Sequence, residues 1–266
     1  MTPSMCSFVD LLHSHDPDLR VSVGGQELLD ALVVRPADVS PDEEACYVQF
    51  LDVSFHRRLL RCVVGGGGRS VWSREDLVTE AAPPSLQALD EALRQCVQWE
   101  LVVEDEPSQR WYRHPRLVRI GNFGWTFEWL VQQVLEREYG ALVRRHVLVW
   151  GLGEIDVLSV ANGQWLLVEC KSSSKGLTNL QLRRFFEQCQ AIHADRSVLL
   201  IDTDDSHQMR QRRGQLGQAL ASVGRKGAVG AIERIGGTSI VHVQDTWMVA
   251  DTGNAVSETI RAIMAR

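Results

Sequence analysis

The stretch Gly153-Glu154-Ile155-Asp156-Val157-Leu158-Ser159-Val160-Ala161-Asn162-Gly163-Gln164-Trp165-Leu166-Leu167-Val168-Glu169-Cys170-Lys171 is two apolar, β-rich runs joined by Asn162-Gly163. Asn-Gly between such runs is the strongest short-range hairpin signal, because both residues accept the left-handed backbone of a two-residue type I′ turn. With these two as the loop, Ala161 pairs with Gln164, Asp156 falls opposite Glu169, and Glu154 falls opposite Lys171. Side chains alternate along a strand, so 154, 156, 169 and 171 are expected to project from one side.

Two acids directly across a sheet repel each other and destabilise the pairing. On a face otherwise built of Leu158, Val160, Trp165 and Leu167, the Asp156/Glu169 pair calls for a cation. Hard divalent ions such as Mg²⁺, with Mn²⁺ as its substitute, take carboxylate oxygens and keep waters for a substrate phosphate. Lys171 would bring an ammonium to the edge of that site. There it would orient or deprotonate an attacking water, or stabilise a pentacovalent phosphorus. This is the chemistry of metal-assisted phosphodiester hydrolysis. The competing reading makes Asp156 and Lys171 solvated edge-strand charges and Glu169 an ion-pair partner. The Glu-Cys-Lys triplet alone does not separate the two. The hairpin register, the facing Asp and an upstream helix carrying Glu128 favour the site.

That helix is expected at about 125–139, with Phe127, Leu130, Val131, Val134 and Leu135 on one stripe and Gly140 just past its end. Strands follow at 142–150, 155–160 and 165–171, then a helix at about 178–194, a strand at 197–201 and a helix at about 207–223. Two short strands (239–243 and 246–250) and a final helix from about Ala255 complete the chain. Glu128 supports a metal site in one reading; in the other it is an acid favourably placed against the helix dipole. Glu154 is divided between a supporting role and an ion pair with Lys171.

Glu128 in a helix, then Gly153-Glu154-Ile155-Asp156-Val157-Leu158, then Val168-Glu169-Cys170-Lys171, resembles the PD-(D/E)XK, restriction-endonuclease-like nuclease superfamily. The resemblance covers about residues 120–225 and is closest in wording to Mrr-like enzymes and the nuclease domains of CRISPR-associated ancillary effectors. It implies Asp156 and Glu169 as metal ligands with the Cys170 carbonyl as a third. Lys171 would be the catalytic lysine and Glu128 a supporting acid. Ile155 stands where the name-giving motif has Pro. The N-terminal part does not read as a nucleotide-sensing Rossmann domain, which leaves activation by a cyclic nucleotide without support.

Downstream, Ser172, Ser173 and Lys175 are placed to contact phosphate, as are Gln181, Arg183, Arg184 and Gln188 on the following helix, where Arg184 and Gln188 share a face. A solvated helix face explains those arginines equally well. With Arg210, Arg212 and Arg213 they form a basic segment. Trp125 or Trp129 would stack on a base in one reading and pack in the core in the other, which is favoured.

The 266-residue chain carries 28 Lys and Arg against 34 Asp and Glu, a formal net charge of −6, and is 44% hydrophobic. Such a composition excludes collagen-like, mucin-like and largely disordered chains. No apolar run is long enough to span a bilayer, and the start lacks a secretory signal, so a cytoplasmic protein is expected. Six scattered cysteines without a CxxC pair argue against a disulfide framework or zinc finger.

Charge is unevenly distributed. Residues 1–110 hold 9 Lys and Arg against 19 Asp and Glu, whereas residues 171–235 hold 11 against 6. A basic segment is the usual electrostatic footprint of nucleic-acid binding. Only Lys171, Lys175 and Lys226 are lysines. In a chain that otherwise chooses arginine, a lysine suits a place where a compact, titratable charge is needed.

In the first part, 26–33 reads as helix, 45–64 as helix or strand, and Gly65–Gly68 as a turn without the GK[ST] ending of a P-loop. Ser73 and Asp76 look like the cap of a short helix. Pro83-Pro84 then precedes a helix with Leu86, Leu89, Leu93, Cys96 and Val97 on one stripe, and 101–112 reads as a hairpin. This is a winged-helix pattern. Its acidity favours a protein contact or dimerisation over DNA reading, since phosphate contacts need Lys and Arg.

The expected architecture is therefore α/β: a restriction-endonuclease-like α-β-β-β-α-β core with a central mixed sheet over 119–266. A smaller, acidic α+β domain over 1–118 precedes it, winged-helix-like at about 73–118. The expected function is Mg²⁺-dependent endonucleolytic hydrolysis of DNA by a homodimer in prokaryotic defence or restriction, with a possible protein partner at the acidic domain. An RNA endonuclease and a catalytically silent adaptor remain alternatives.

Overall fold

Asn162 and Gly163 hold left-handed backbone (φ 52° and 77°) and close the hairpin between β6 (Gly153–Ala161) and β7 (Gln164–Lys171) in the expected register, from Ala161 opposite Gln164 to Val157 opposite Val168. The computed structural model describes residues 8–15, 20–23, 30–65, 69–120, 122–173, 177–203, 215–224, 229–230, 232–235, 237–244 and 246–265.

Around this hairpin lies an eight-stranded mixed sheet. β5 (Leu142–Val149) pairs antiparallel with β6 and carries the short edge strand β1 (Val21–Val23). On the other side, β8 (Arg196–Ile201) runs parallel to β7, and β11 (Trp247–Asp251) parallel to β8. β10 (Thr238–Gln244) and β9 (Ile232–Ile235) finish the antiparallel end, giving the order β1-β5-β6-β7-β8-β11-β10-β9. Parallel neighbours need a crossover, supplied between β7 and β8 by α7 (Asn179–Ile192).

Helices cover both faces. α6 (Gly124–Tyr139) and the C-terminal α8 (Val256–Met264) pack on one side with Val157, Leu166, Val168, Leu200 and Ala250. α1 (Phe8–His15), α7 and the helical residues 215–222 pack on the other with Ile155, Leu158, Leu167, Leu199 and Val249. α6 ends as expected at Gly140, whose φ of 59° stops the helix without a Cβ penalty. The helix expected at 207–223 is described only from 215 on. Of the helix expected at 26–33 only 30–33 are described, helical at Asp30 and then turn and bend, and of the turn expected at 65–68 only Gly65 is described, as the end of a helix.

Between β1 and β2 (Val71–Ser73), residues 45–64 are helical apart from Val53, in α2 (Pro41–Asp52) and α3 (Ser54–Gly65). The capping box of Ser73 and Asp76 forms and opens α4 (Arg74–Ala81). α5 (Leu86–Gln98) follows, then β3 (Val102–Asp105) and β4 (Arg110–Arg113), which join β2 in a three-stranded sheet ordered β2-β4-β3. This N-terminal part shares one apolar core with α6, α8 and the adjoining face of the large sheet. Arg57 of α3, fully buried, bonds to Asp202 Oδ1 just past β8 at 2.8 Å and to Thr252 Oγ1 past β11 at 3.1 Å.

Candidate active site

The β6–β7 ladder runs only to Val157 and Val168. Beyond it the strands part: β7 stays paired with β8 through Lys171, opposite Ile201, and β6 stays paired with β5 through Gly153, opposite Val149. Asp156 fills the opening, its Oδ2 accepting the Cys170 N–H at 2.7 Å. The expected direct Asp156–Glu169 pairing is thus corrected to a fork, with a carboxylate in place of a ladder carbonyl.

The single expected face is corrected as well. Val157 packs in one core layer and Ile155 in the other, although residues two apart on a regular strand share a face. Val143 and Val147 of β5 divide the same way. Both strands turn over at one level, where His146 holds φ 52° inside β5. Left-handed backbone costs a non-glycine residue on the order of 1–2 kcal/mol, and such strain gathers at functional sites.

Four of the expected residues come together at this level. The Lys171 ammonium lies 2.6 Å from Glu169 Oε1, 3.2 Å from the Cys170 carbonyl oxygen and 3.7 Å from Asp156 Oδ2. Burial pushes the Glu169 carboxyl up to about 7, with Asp156 adding to the rise and Lys171 opposing it. Burial likewise raises Asp156, against Lys171 and the Cys170 N–H. Burial works against the charge on Lys171, but Glu169 and Asp156 outweigh it and hold the ammonium protonated well above its usual range.

Glu128 reaches the same cluster from the first turns of α6. Burial raises its carboxyl to about 7, with contact to His146 opposing and Asp156 adding. His146 Nε2 stands 2.7 Å from Glu128 Oε2, an ion-pair distance without hydrogen-bond alignment. Its Nδ1 meets Glu154, and its ring stacks on Trp125 at 4.2 Å. Burial lowers the affinity of His146 for a proton, but the two carboxylates reverse this and raise it. Glu154 therefore pairs with His146 rather than with Lys171. Sequence reasoning missed His146. Counting the β5 register across to Asp156 would have found it, had β5 been paired with β6 as β7 was.

The donor set suits a hard cation, because three oxygens are already gathered about the positive charge of Lys171. Among the described residues no three His, Cys, Asp or Glu side chains stand ready to hold a metal. Asp156 and Glu169 would hold Mg²⁺ or Mn²⁺ with the Cys170 carbonyl and water, the ligation such ions accept.

The remaining expectations divide. Ser172 follows Lys171, and its carbonyl accepts from Arg61. Arg183 and Arg184 are exposed on α7, with Arg183 paired to Glu187 at 2.8 Å. Gln188 is corrected: it is 3% exposed, and its amide donates to the carbonyls of Leu152 and Glu154, tying α7 to the β5–β6 turn. Gln181 caps α7 by accepting from the Thr178 N–H. Trp129 is buried. Lys175, Arg210, Arg212 and Arg213 lie outside the described residues. The described cysteines are all free thiols.

No protein-family model matches the chain, and no curated protein does. Among solved structures, it is similar to protein VC1899 from Vibrio cholerae, with a TM-score of 0.42 and 16% identity over 78% of this chain. It is also similar to Can2 from Sulfobacillus thermosulfidooxidans, solved with cyclic tetra-adenylate, with a TM-score of 0.42 and 10% identity over 77% of this chain. The chain spans about half the length of each, 55% and 54%. Among the described residues no helix is long and apolar enough to cross a membrane.

Proposed function

We propose that this chain is a metal-dependent phosphodiesterase that cuts nucleic acid internally, with DNA as its substrate. One observation carries the reading: in the fork of β6 and β7, Lys171 is held against Glu169 Oε1, the Cys170 carbonyl and Asp156 Oδ2. Burying two carboxylates, Asp156 and Glu169, around one ammonium, with Glu128 buried beside them against His146, is costly for folding alone. It suits a site that exchanges cations.

In this reading Asp156, Glu169 and the Cys170 carbonyl hold Mg²⁺ or Mn²⁺. When bound, such an ion polarises a phosphoryl oxygen and makes its water a stronger nucleophile. Lys171 stays protonated at neutral pH as it is held here, so it serves better as a compact positive charge beside the phosphorus than as a base. Glu128 and Glu154 grip His146 from two sides and thereby fix the level at which β5 and β6 turn over. Exposed Arg184 lies on the helix leaving the site, and Ser172 in the segment before it, both suited to the substrate backbone.

For residues 73–118 we propose a winged-helix-like module that meets a protein rather than DNA. Arg69 and Arg74, which flank β2, are tied to Asp76 and Asp90, and α5 carries Arg94 as its one basic residue, which leaves little positive charge here for phosphates. Cutting both strands of a duplex takes two sites, which supports a homodimer. A setting in prokaryotic defence or restriction completes the proposal. Methylase, helicase or sensor genes beside this one support that setting, and housekeeping neighbours oppose it.

The test is purified protein on supercoiled plasmid and on RNA of the same sequence, with Mg²⁺ or Mn²⁺. Nicking of the plasmid that EDTA stops and Asp156→Asn abolishes is the expected result. RNA cleavage alone would replace the substrate, and no cleavage of either would overturn the reading.

A further inference from the structure

Seven of the eight tryptophans are buried or half-buried; Trp150, at 74% exposure, is the exception. It sits at the turn between β5 and β6, and Leu148, 48% exposed, stands directly opposite Glu154 on the same hairpin. Val147, Val149 and Ile155 turn into the core beneath α7. His146, Leu148 and Glu154 therefore face away from that core, on the side where α6 brings Trp125 and Glu128, and exposed Trp150 follows at the turn two residues beyond Leu148. An apolar strip thus runs along β5 from the carboxylates to the turn.

The backbone that carries this indole is held in place. The Trp150 backbone N–H donates to the Arg20 carbonyl at 3.0 Å, and the Leu152 backbone N–H to the Val149 carbonyl at 3.1 Å. Gln188 donates to the Leu152 and Glu154 carbonyls at 3.3 and 2.8 Å. Gly151 and Gly153 supply the left-handed backbone, φ 81° and 86°, that closes it. A large aromatic left in water on a fixed support loses little entropy when something covers it.

We infer that Trp150 is a base-stacking residue that takes up an unpaired nucleotide about four nucleotides from the bond to be cut. The inference rests on the proposed phosphodiesterase activity and names its substrate class: single-stranded or locally unstacked nucleic acid. Along the strand axis, Trp150 lies four residue levels from Asp156, about 13 Å, the span of about four stacked nucleotides. A strand whose phosphate lies at the fork thus passes over Leu148 and Trp150 with its bases. An indole face accepts any base, but only one out of its pair, because paired bases present their edges and not their faces.

The experiment measures binding of a fluorescent 12-nucleotide single strand and of the matching blunt duplex to the full chain in EDTA, so that no substrate is cut. Trp150→Ala is expected to weaken single-strand binding about 10-fold, Trp150→Phe to restore it to within about 3-fold, and duplex binding to change less than about 2-fold. Equal loss on single strand and duplex, no loss on either, or no single-strand binding by the wild type would overturn the inference. Conversion of a dimer to a monomer by Trp150→Ala, seen by light scattering, would also overturn it, since the strip would then be a contact between copies. Cleavage with Mg²⁺ or Mn²⁺ is scored separately. Wild-type protein that cuts while Trp150→Ala binds both ligands normally sinks only this inference. Protein that stacks a single strand through Trp150 yet cuts nothing sinks only the phosphodiesterase reading.

Discussion

The Lys171 ammonium lies 2.6 Å from Glu169 Oε1, on the carboxylate two residues before it in the same strand. Regular alternation puts both side chains on one face, and the parting of β6 from β7 gives them an opening to meet in. The pair draws in Asp156 at 3.7 Å, so one positive charge serves two buried acids.

Removing that charge separates two roles. Lys171→Ala should lower plasmid cleavage by about 10²–10³-fold, the usual cost of removing one positioned electrostatic group. The same variant should bind Mn²⁺ several-fold more tightly by calorimetry, because the ion no longer displaces an ammonium. Weaker Mn²⁺ binding would show that Lys171 does not compete for the cation position.

Stability of the metal-free protein should fall as pH rises from about 5 to 8. Glu128 and Glu169 have folded-state values near 7 against an ordinary 4.5. They bind protons more tightly when folded, so their stabilising contribution is complete below 4.5 and lost as pH passes through 7. His146, also raised, acts with the same sign. Thermal melts in EDTA should show the fall, on the order of a few kcal/mol, and Glu169→Gln should flatten it. A melting temperature that rises over that range would contradict these assignments.

Arg57→Ala should cost about 3–5 kcal/mol, because it leaves Asp202 as a buried charge with its main partner gone. Arg57 also donates to the carbonyls of Leu51 and Asp52 at 2.9 and 2.5 Å, so α2 and α3 lose an anchor as well. Denaturant melts measure the loss. Arg57→Met combined with Asp202→Asn should recover most of it, and a loss below about 1 kcal/mol would mean that water replaces the guanidinium.

At position 146, Gly should be more stable than Ala by about 1 kcal/mol, the reverse of their order in a regular strand. Both variants lose the contacts to Glu128 and Glu154, so their difference isolates the backbone. Equal stability would mean that β5 relaxes once the imidazole is gone.

The β6–β7 hairpin was legible because local chemistry dictates it: Asn162-Gly163 fixes the turn, and the turn fixes the register. The capping box of Ser73 and Asp76, and the stop of α6 at Gly140, were legible for the same reason. β1 and β9 were not, since three or four residues gain strand character only from a neighbour already in place. Gln188 was misjudged because helical spacing gives a face but not what covers it.

By itself the sequence determined the hairpin, the order of helices and strands around it, and the residues that meet there: Glu128, Asp156, Glu169 and Lys171. Asp156, Glu169 and Lys171 follow from the register that the two-residue turn sets, and Glu128 from its place in the preceding helix and from the family resemblance. Tertiary structure alone decided that the strands fork at Val157 and Val168, and that β5 and β6 turn over at His146 and Asp156. It also left Trp150 in water at the turn, four residue levels from Asp156. Those outcomes depend on which core layer each residue joins and on how α6 and α7 grip opposite faces of the sheet. Such long-range packing leaves no periodic trace in the chain.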